Sequence, residues 1–157
     1  MNTINDVEVS RISKIFEHLV TEGFRPEMAS DTSVKVKYQG TTLYVDIDEK
    51  DKSIYSIICA FIWEIDTEQE LLNAYKATSN TAMTMKAAKA FVTRDEKNVW
   101  LLMELFFSDV NQFLPTVVRG MDIVVNSRRN FCDYMRKLMA NEEPVVVAPA
   151  ATSQLLN

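Results

Sequence analysis

The sequence predicts an α+β domain of two layers, a mostly antiparallel five-stranded sheet carrying three helices in the order α-βββ-α-ββ-α. Three observations predict it. Apolar residues recur with a helical period near the start, in the middle and over the last third of the chain. Between these stretches the period changes to two, first around residues 34–47 and again around 99–107. The 157 residues suit one core, since a chain of that length buries roughly 68–70% of its unfolded surface.

The first helix is expected over about residues 7 to 22. Val9, Ile12, Ile15, Phe16, Leu19 and Val20 share an arc, Arg11, Lys14 and His18 point away, and Gly23 supplies a stop. Val34, Val36 and Tyr38 then alternate with lysines, and Leu43, Val45 and Ile47 alternate with Tyr44 and Asp46. With Gln39-Gly40 as a two-residue turn, Val36 meets Leu43 and Val34 meets Val45, so both apolar sets share a face. The nearly unbroken apolar run from Ile54 to Trp63 reads as a third strand covered on both faces.

Thr67 and Glu70 have capping-box spacing and open the second helix, with Leu71, Leu72, Tyr75 and Thr78 expected as its buried stripe. A second hairpin follows, Met85 to Thr93 and Val99 to Phe107. A long helix carries Val117, Val118, Met121, Val124, Val125, Cys132, Met135 and Met139 along one stripe, and Pro115 either opens it or kinks it after a short lead-in turn at 109–112. Residues 1–140 are expected to form the single domain, and residues 141–157, with Pro144 and Pro149, a loosely ordered Pro/Val/Ala-rich tail.

Composition excludes much chemistry. Three isolated glycines, Gly23, Gly40 and Gly120, leave no Gly-rich phosphate loop and no nucleophile elbow. One histidine, His18, and two cysteines, Cys59 and Cys132, cannot supply a four-ligand zinc site, so neither metal nor cofactor is expected. His18 lies on the polar side of its helix, and the two cysteines lie on apolar stripes where structural thiols sit. No catalytic residue is assigned; a cluster of carboxylates at Glu64, Asp66 and Glu104 would be needed to revive an enzyme. The acidic turn around Asp46, Asp48, Glu49 and Asp51 has Lys50 where a cation loop needs an oxygen ligand. A net charge of −5 argues against nucleic acid and anionic membrane as partners, and without a leader or an 18-residue apolar run a cytoplasmic protein is expected.

The segment Leu71-Leu72 through Asn80, then Met85-Lys86-Ala87-Ala88-Lys89-Ala90-Phe91-Val92, a short charged turn, and Trp100-Leu101-Leu102-Met103-Glu104 resembles the second half of the YbjN family of bacterial domains. That family is similar in fold to type III secretion chaperones. The resemblance covers roughly residues 8–139 in element order, and its specific part centres on Asn80 and Glu104. Family members often carry a pair of asparagines near the end of that helix; here Ala77 stands three before Asn80 and Asn73 seven before it. The resemblance implies a type III secretion chaperone-like fold and a small acidic partner-binding or regulatory domain without catalysis, often dimeric.

Two charges interrupt apolar patterns. Arg128 falls within the stripe of the last helix, and Glu104 interrupts the face formed by Trp100, Leu102 and Phe106. An unpaired buried charge costs several kcal/mol, so Arg128 either reaches water or pairs with a carboxylate such as Glu104. If the helices share one side of the sheet, Trp63, Trp100, Leu102 and Phe106 form an uncovered apolar patch; if they cover both, the monomer is closed. The expected function is a non-catalytic protein-interaction, chaperone-like or regulatory domain, a homodimer that also holds a protein or peptide partner. Its expected contact residues are Trp63, Trp100, Leu102, Glu104, Phe106 and Arg128. The alternative is a small-molecule sensor with its ligand between the C-terminal helix and the sheet.

Overall fold

The structure, a computed structural model, describes residues 3–140, with side chains from Arg11 onward. The expected tail at 141–157 lies outside the described residues, as do the side chains of the first turns, Val9 included. The elements are α1 (Thr3–Thr21), β1 (Glu27–Ser30), β2 (Ser33–Tyr38), β3 (Thr41–Ile47), β4 (Ile54–Glu64), α2 (Glu68–Thr84), β5 (Ala88–Val92), β6 (Asn98–Phe106), α3 (Val110–Phe113), a 3₁₀ turn at Leu114–Thr116 and α4 (Val117–Met139). One antiparallel sheet has the order β1-β2-β3-β4-β6-β5.

The hairpin of β2 and β3 has the expected register, Val36 opposite Leu43 and Val34 opposite Val45. Its turn residues Gln39 and Gly40 both take positive φ, 47° and 76°, as a type I′ connection requires. Thr67 caps α2, its hydroxyl accepting from the Glu70 amide at 3.1 Å, while the Glu70 carboxylate accepts from the Asp66 amide at 2.7 Å. Pro115 sits in the 3₁₀ turn between α3 and α4, so the short lead-in turn exists and the long helix begins after it.

Three expectations need correction. The sheet has six strands, because β1 adds a fourth strand ahead of α2 by pairing with β2. All four β1 residues are exposed, so it contributes no alternating apolar set to the core. β4 is covered on one face only, its burial alternating along Tyr55, Ile57 and Cys59. On α2 the buried residues are Asn73, Ala74, Ala77, Asn80 and Thr81, whereas Leu72 and Tyr75, expected inside, are exposed. Small side chains face inward there because α2 packs against both α4 and β5.

The helices lie on one side of the sheet. α1 packs over β2 and β3, and α4 over β4 and β6. One contiguous core joins Ile12, Ile15 and Leu19 of α1 and Val117, Met121, Val124 and Val125 of α4 to a row running across four strands, Val45, Ile57, Met103 and Ala88. α4 comes closest at Gly120, where an added Cβ would lie 2.4 Å from Ile57 Cδ1. The Tyr38 hydroxyl donates to Asp122 Oδ1 at 2.6 Å and ties the end of β2 to α4.

Candidate partner-binding sheet face

The next row across the same four strands, Tyr44, Ile58, Leu102 and Lys89, points the other way, because successive strand side chains alternate. No described helix covers it. Above it run Trp100, paired opposite Phe91, and Phe61; below it run Ser56 opposite Glu104 and Ile54 opposite Phe106. Phe106 and Phe61 are the most exposed large apolar side chains among the described residues, at 73% and 68%, and Phe91 is exposed beside them. An isolated exposed apolar residue needs no explanation, but several sharing one sheet face mark an association surface.

Polar groups border the apolar ones. The Lys89 ammonium donates to Glu104, its diagonal cross-strand neighbour, so the charge that interrupts the apolar face is neutralised within it. Asp46 lies in the row of Ser56 and accepts from the Ser33 hydroxyl; burial nonetheless raises its carboxyl above the ordinary value.

A two-residue bulge shapes one end of the face. Cys59 pairs with Leu101 and Trp63 with Val99, leaving Ala60, Phe61 and Ile62 opposite Trp100 alone. Plain alternation from Tyr55, Ile57 and Cys59 would send Phe61 into the core. Instead Phe61 takes φ 52°, turns outward and stands edge-on to the Trp100 indole with centroids 5.2 Å apart, while Ile62 is buried in its place. Positive φ is a true outlier for so bulky a residue.

Of the expected contact residues, Trp100, Leu102, Glu104 and Phe106 share the open face. Trp63 does not, because it pairs opposite the buried Val99 and packs against the core. Nor does Arg128, half-buried on α4 on the helical side of the sheet, where its charge acts on Cys59 and Cys132. Of the two alternatives for Arg128, the ion pair with Glu104 is therefore not formed, and Glu104 uses Lys89 instead. Phe61 and Phe91 were not expected on this face; for Phe61 the sequence carries no signal, since only the bulge turns it outward.

Both cysteines are buried and free. Burial pushes the Cys59 thiol up to about 11, partly offset by Arg128, and raises Cys132 in the same way. Glu64 and Asp66 lie at the far end of β4, and Glu64 pairs with Asn98, six positions along β6 from Glu104, or about 20 Å. The three carboxylates do not converge. An open cleft of about 430 Å³ lies elsewhere, lined by Gly23, Phe24, Arg25, Glu27, Lys35, Val36 and Lys37. Among the described residues no group of His, Cys, Asp and Glu could hold a metal, and no helix is long and apolar enough to cross a membrane.

No family model and no curated protein matches the sequence. Solved structures similar in fold include an archaeal and a bacterial protein. One is an uncharacterized protein from Methanothermobacter thermautotrophicus, 12% identical, with a TM-score of 0.54, covering 82% of this chain and 98% of that one. The other is YbjN from E. coli, described as a candidate transcription regulator, 12% identical, with a TM-score of 0.53, covering 83% of this chain and 93% of that one. The fold is YbjN-like. At this identity the likeness concerns architecture alone, so the YbjN-like frame accounts for the layering and leaves the role to the side chains on the open face.

Proposed function

We propose that this YbjN-like domain is a non-catalytic interaction or regulatory module that holds a protein or peptide segment across its open sheet face. The observation that supports this most is the one-sided packing: every described helix lies on one side, while Phe61, Phe91, Trp100, Leu102 and Phe106 stand on the other. A partner that covers this face gains about 25 cal/mol for each Å² of apolar surface removed from water. The Lys89–Glu104 pair supplies charges of both signs that can be shared with the partner.

A homodimer is part of the same reading. β5 is an edge strand, and α2 above it exposes Leu72, Tyr75 and Met83. A two-fold axis beside β5 would join two sheets and bury both flanks. The chaperone-like or regulatory role follows from holding a segment without transforming it. The sensor alternative has less room, since α4 rests directly on Ile57 at Gly120. The test is a peptide-display selection followed by titration of the selected peptides. Leu102→Glu is expected to abolish binding while leaving the melting temperature nearly unchanged. Peptides that bind Leu102→Glu as well as the parent would overturn the reading.

A further inference from the structure

We infer that the cleft between the α1–β1 loop and β2 is a second binding site, built for the C-terminal end of a peptide chain whose last residue is apolar. It lies toward the sheet edge opposite β5 and does not rest on the reading of the open face.

The fold leaves a short gap in the sheet there. Gln39-Gly40 is a two-residue hairpin turn, so Tyr38 and Thr41 exchange backbone bonds, and alternation makes Val36 and Leu43 the next bonded pair. Lys35 and Lys37 therefore aim their backbone N–H and C=O groups away from β3. At Lys35 these groups face β1, which pairs there through Glu27. β1 begins at Glu27, and among the described residues no backbone hydrogen bond joins Arg25 or Pro26 to β2. The Lys37 donor and acceptor are thus left facing the cleft. One residue of an extended chain can exchange both bonds with Lys37, as an added strand does. A longer strand has no second place to pair, because Lys35 is taken by β1 and the chain turns back at Gln39. A chain end fits where a passing strand does not.

The charges select which end. Arg25, Lys35 and Lys37 line the cleft with a single carboxylate, Glu27, so three cations against one anion leave two positive charges unmatched. Lys35 Nζ donates to Glu27 Oε2 at 2.6 Å, whereas Arg25 and Lys37 form no ion pair among the described residues. The local sign is thus opposite to the net charge of −5. Such a spot attracts a terminal carboxylate, both of whose oxygens a guanidinium can bind, and repels an ammonium terminus.

Apolar walls receive the last side chain. Phe24, half-buried, and Val36, buried, line the same cleft. Gly23 at φ 89° ends α1 so that the Phe24 amide donates to the Leu19 carbonyl at 3.0 Å, and the Phe24 ring stands edge-on to Tyr38 with centroids 5.6 Å apart. Tyr38 is tied to Asp122, and the Gln39 side chain bridges Asp122 and Arg129 of α4. The walls are therefore fixed before any ligand arrives. A volume of about 430 Å³ falls within the roughly 300–1,000 Å³ of small-ligand sites, room for a terminal residue.

The test titrates the ¹⁵N-labelled full chain with N-acetyl-Ala-Ala-Leu carrying either a free carboxylate or a C-terminal amide. Saturable shifts of the Gly23, Arg25 and Lys37 amide signals are expected with the acid, with binding several-fold weaker for the amide and for the acid at high salt. Lys37→Glu, at an exposed strand position, and Arg25→Gln, in the loop, are each expected to weaken binding of the acid several-fold at an unchanged melting temperature. Equal binding of acid and amide, acid binding retained by both variants, or shifts confined to the open face around Leu102 would overturn the proposal. So would sodium acetate producing the same shifts at the same concentration, because the site would then be a general anion patch. The open face takes no part in this titration, so its failure is distinct from a failure of the peptide-display test.

Discussion

Two neighbouring rows of side chains cross the same four strands and meet opposite fates. Val45, Ile57, Met103 and Ala88 are buried beneath the helices, whereas Tyr44, Ile58, Leu102 and Lys89 face away from them. Both rows are largely apolar, so hydrophobicity alone does not separate a core from an interaction surface; the placement of the helices does. An antiparallel sheet with one covered face ordinarily shows polar residues on the other, as Lys35 and Lys37 do on β2. β4, β5 and β6 depart from that rule, and the departure identifies the candidate site.

The comparison is tested most severely at two adjacent residues of β6. Leu101→Ala should cost about 2–5 kcal/mol, as expected for a fully buried leucine, whereas Leu102→Ala should cost less than about 1 kcal/mol, both read by denaturant titration. Equal losses would mean that the two faces are equally covered. Gly120→Leu should cost about 1–3 kcal/mol by overpacking α4 against Ile57, again by denaturant titration. Thr67→Ala should cost about 1 kcal/mol through loss of the α2 cap, measurable as a lowered melting temperature.

A smaller effect is expected at Phe61. Phe61→Gly relieves left-handed backbone worth about 1–2 kcal/mol and loses an aromatic contact worth about 0.5–1.5 kcal/mol. Its stability should therefore stay within about 1 kcal/mol of the parent while peptide binding falls. The smallest effect concerns the thiols. With its folded value raised to about 11 from an ordinary 9.0, Cys59 adds stability that is fully present below pH 9 and lost as pH rises toward 11. Near neutral pH neither thiol should react with an alkylating reagent until the chain unfolds, a difference that mass spectrometry would record.

Much of the architecture is legible in the residues. Gln39-Gly40 sets the register of the first hairpin, Thr67 marks the start of α2, and the apolar stripe from Val117 to Met135 describes the buried side of α4. β1 is not legible, because four exposed residues following Pro26 carry no periodic pattern. The rotation of α2 escapes as well: its close neighbours select Ala74, Ala77 and Thr81 for the interface, so Leu72 and Tyr75 face outward against their hydrophobicity. Of the candidate site, Trp100, Leu102, Glu104 and Phe106 follow from alternation along one strand. Trp63 and Phe61 do not, because β4 is apolar at both parities and only the bulge at residues 60–62 decides which ring turns outward.

Photo-crosslinking in the protein's own cells tests the central claim most directly, with the reactive side chain placed at Phe61 or Phe106 on the open face and at the exposed Arg119 on α4 for comparison. Discrete protein adducts from the two sheet positions and none from the helix are the predicted result. Adducts from Arg119 alone, or the same adducts from all three positions, would contradict the account.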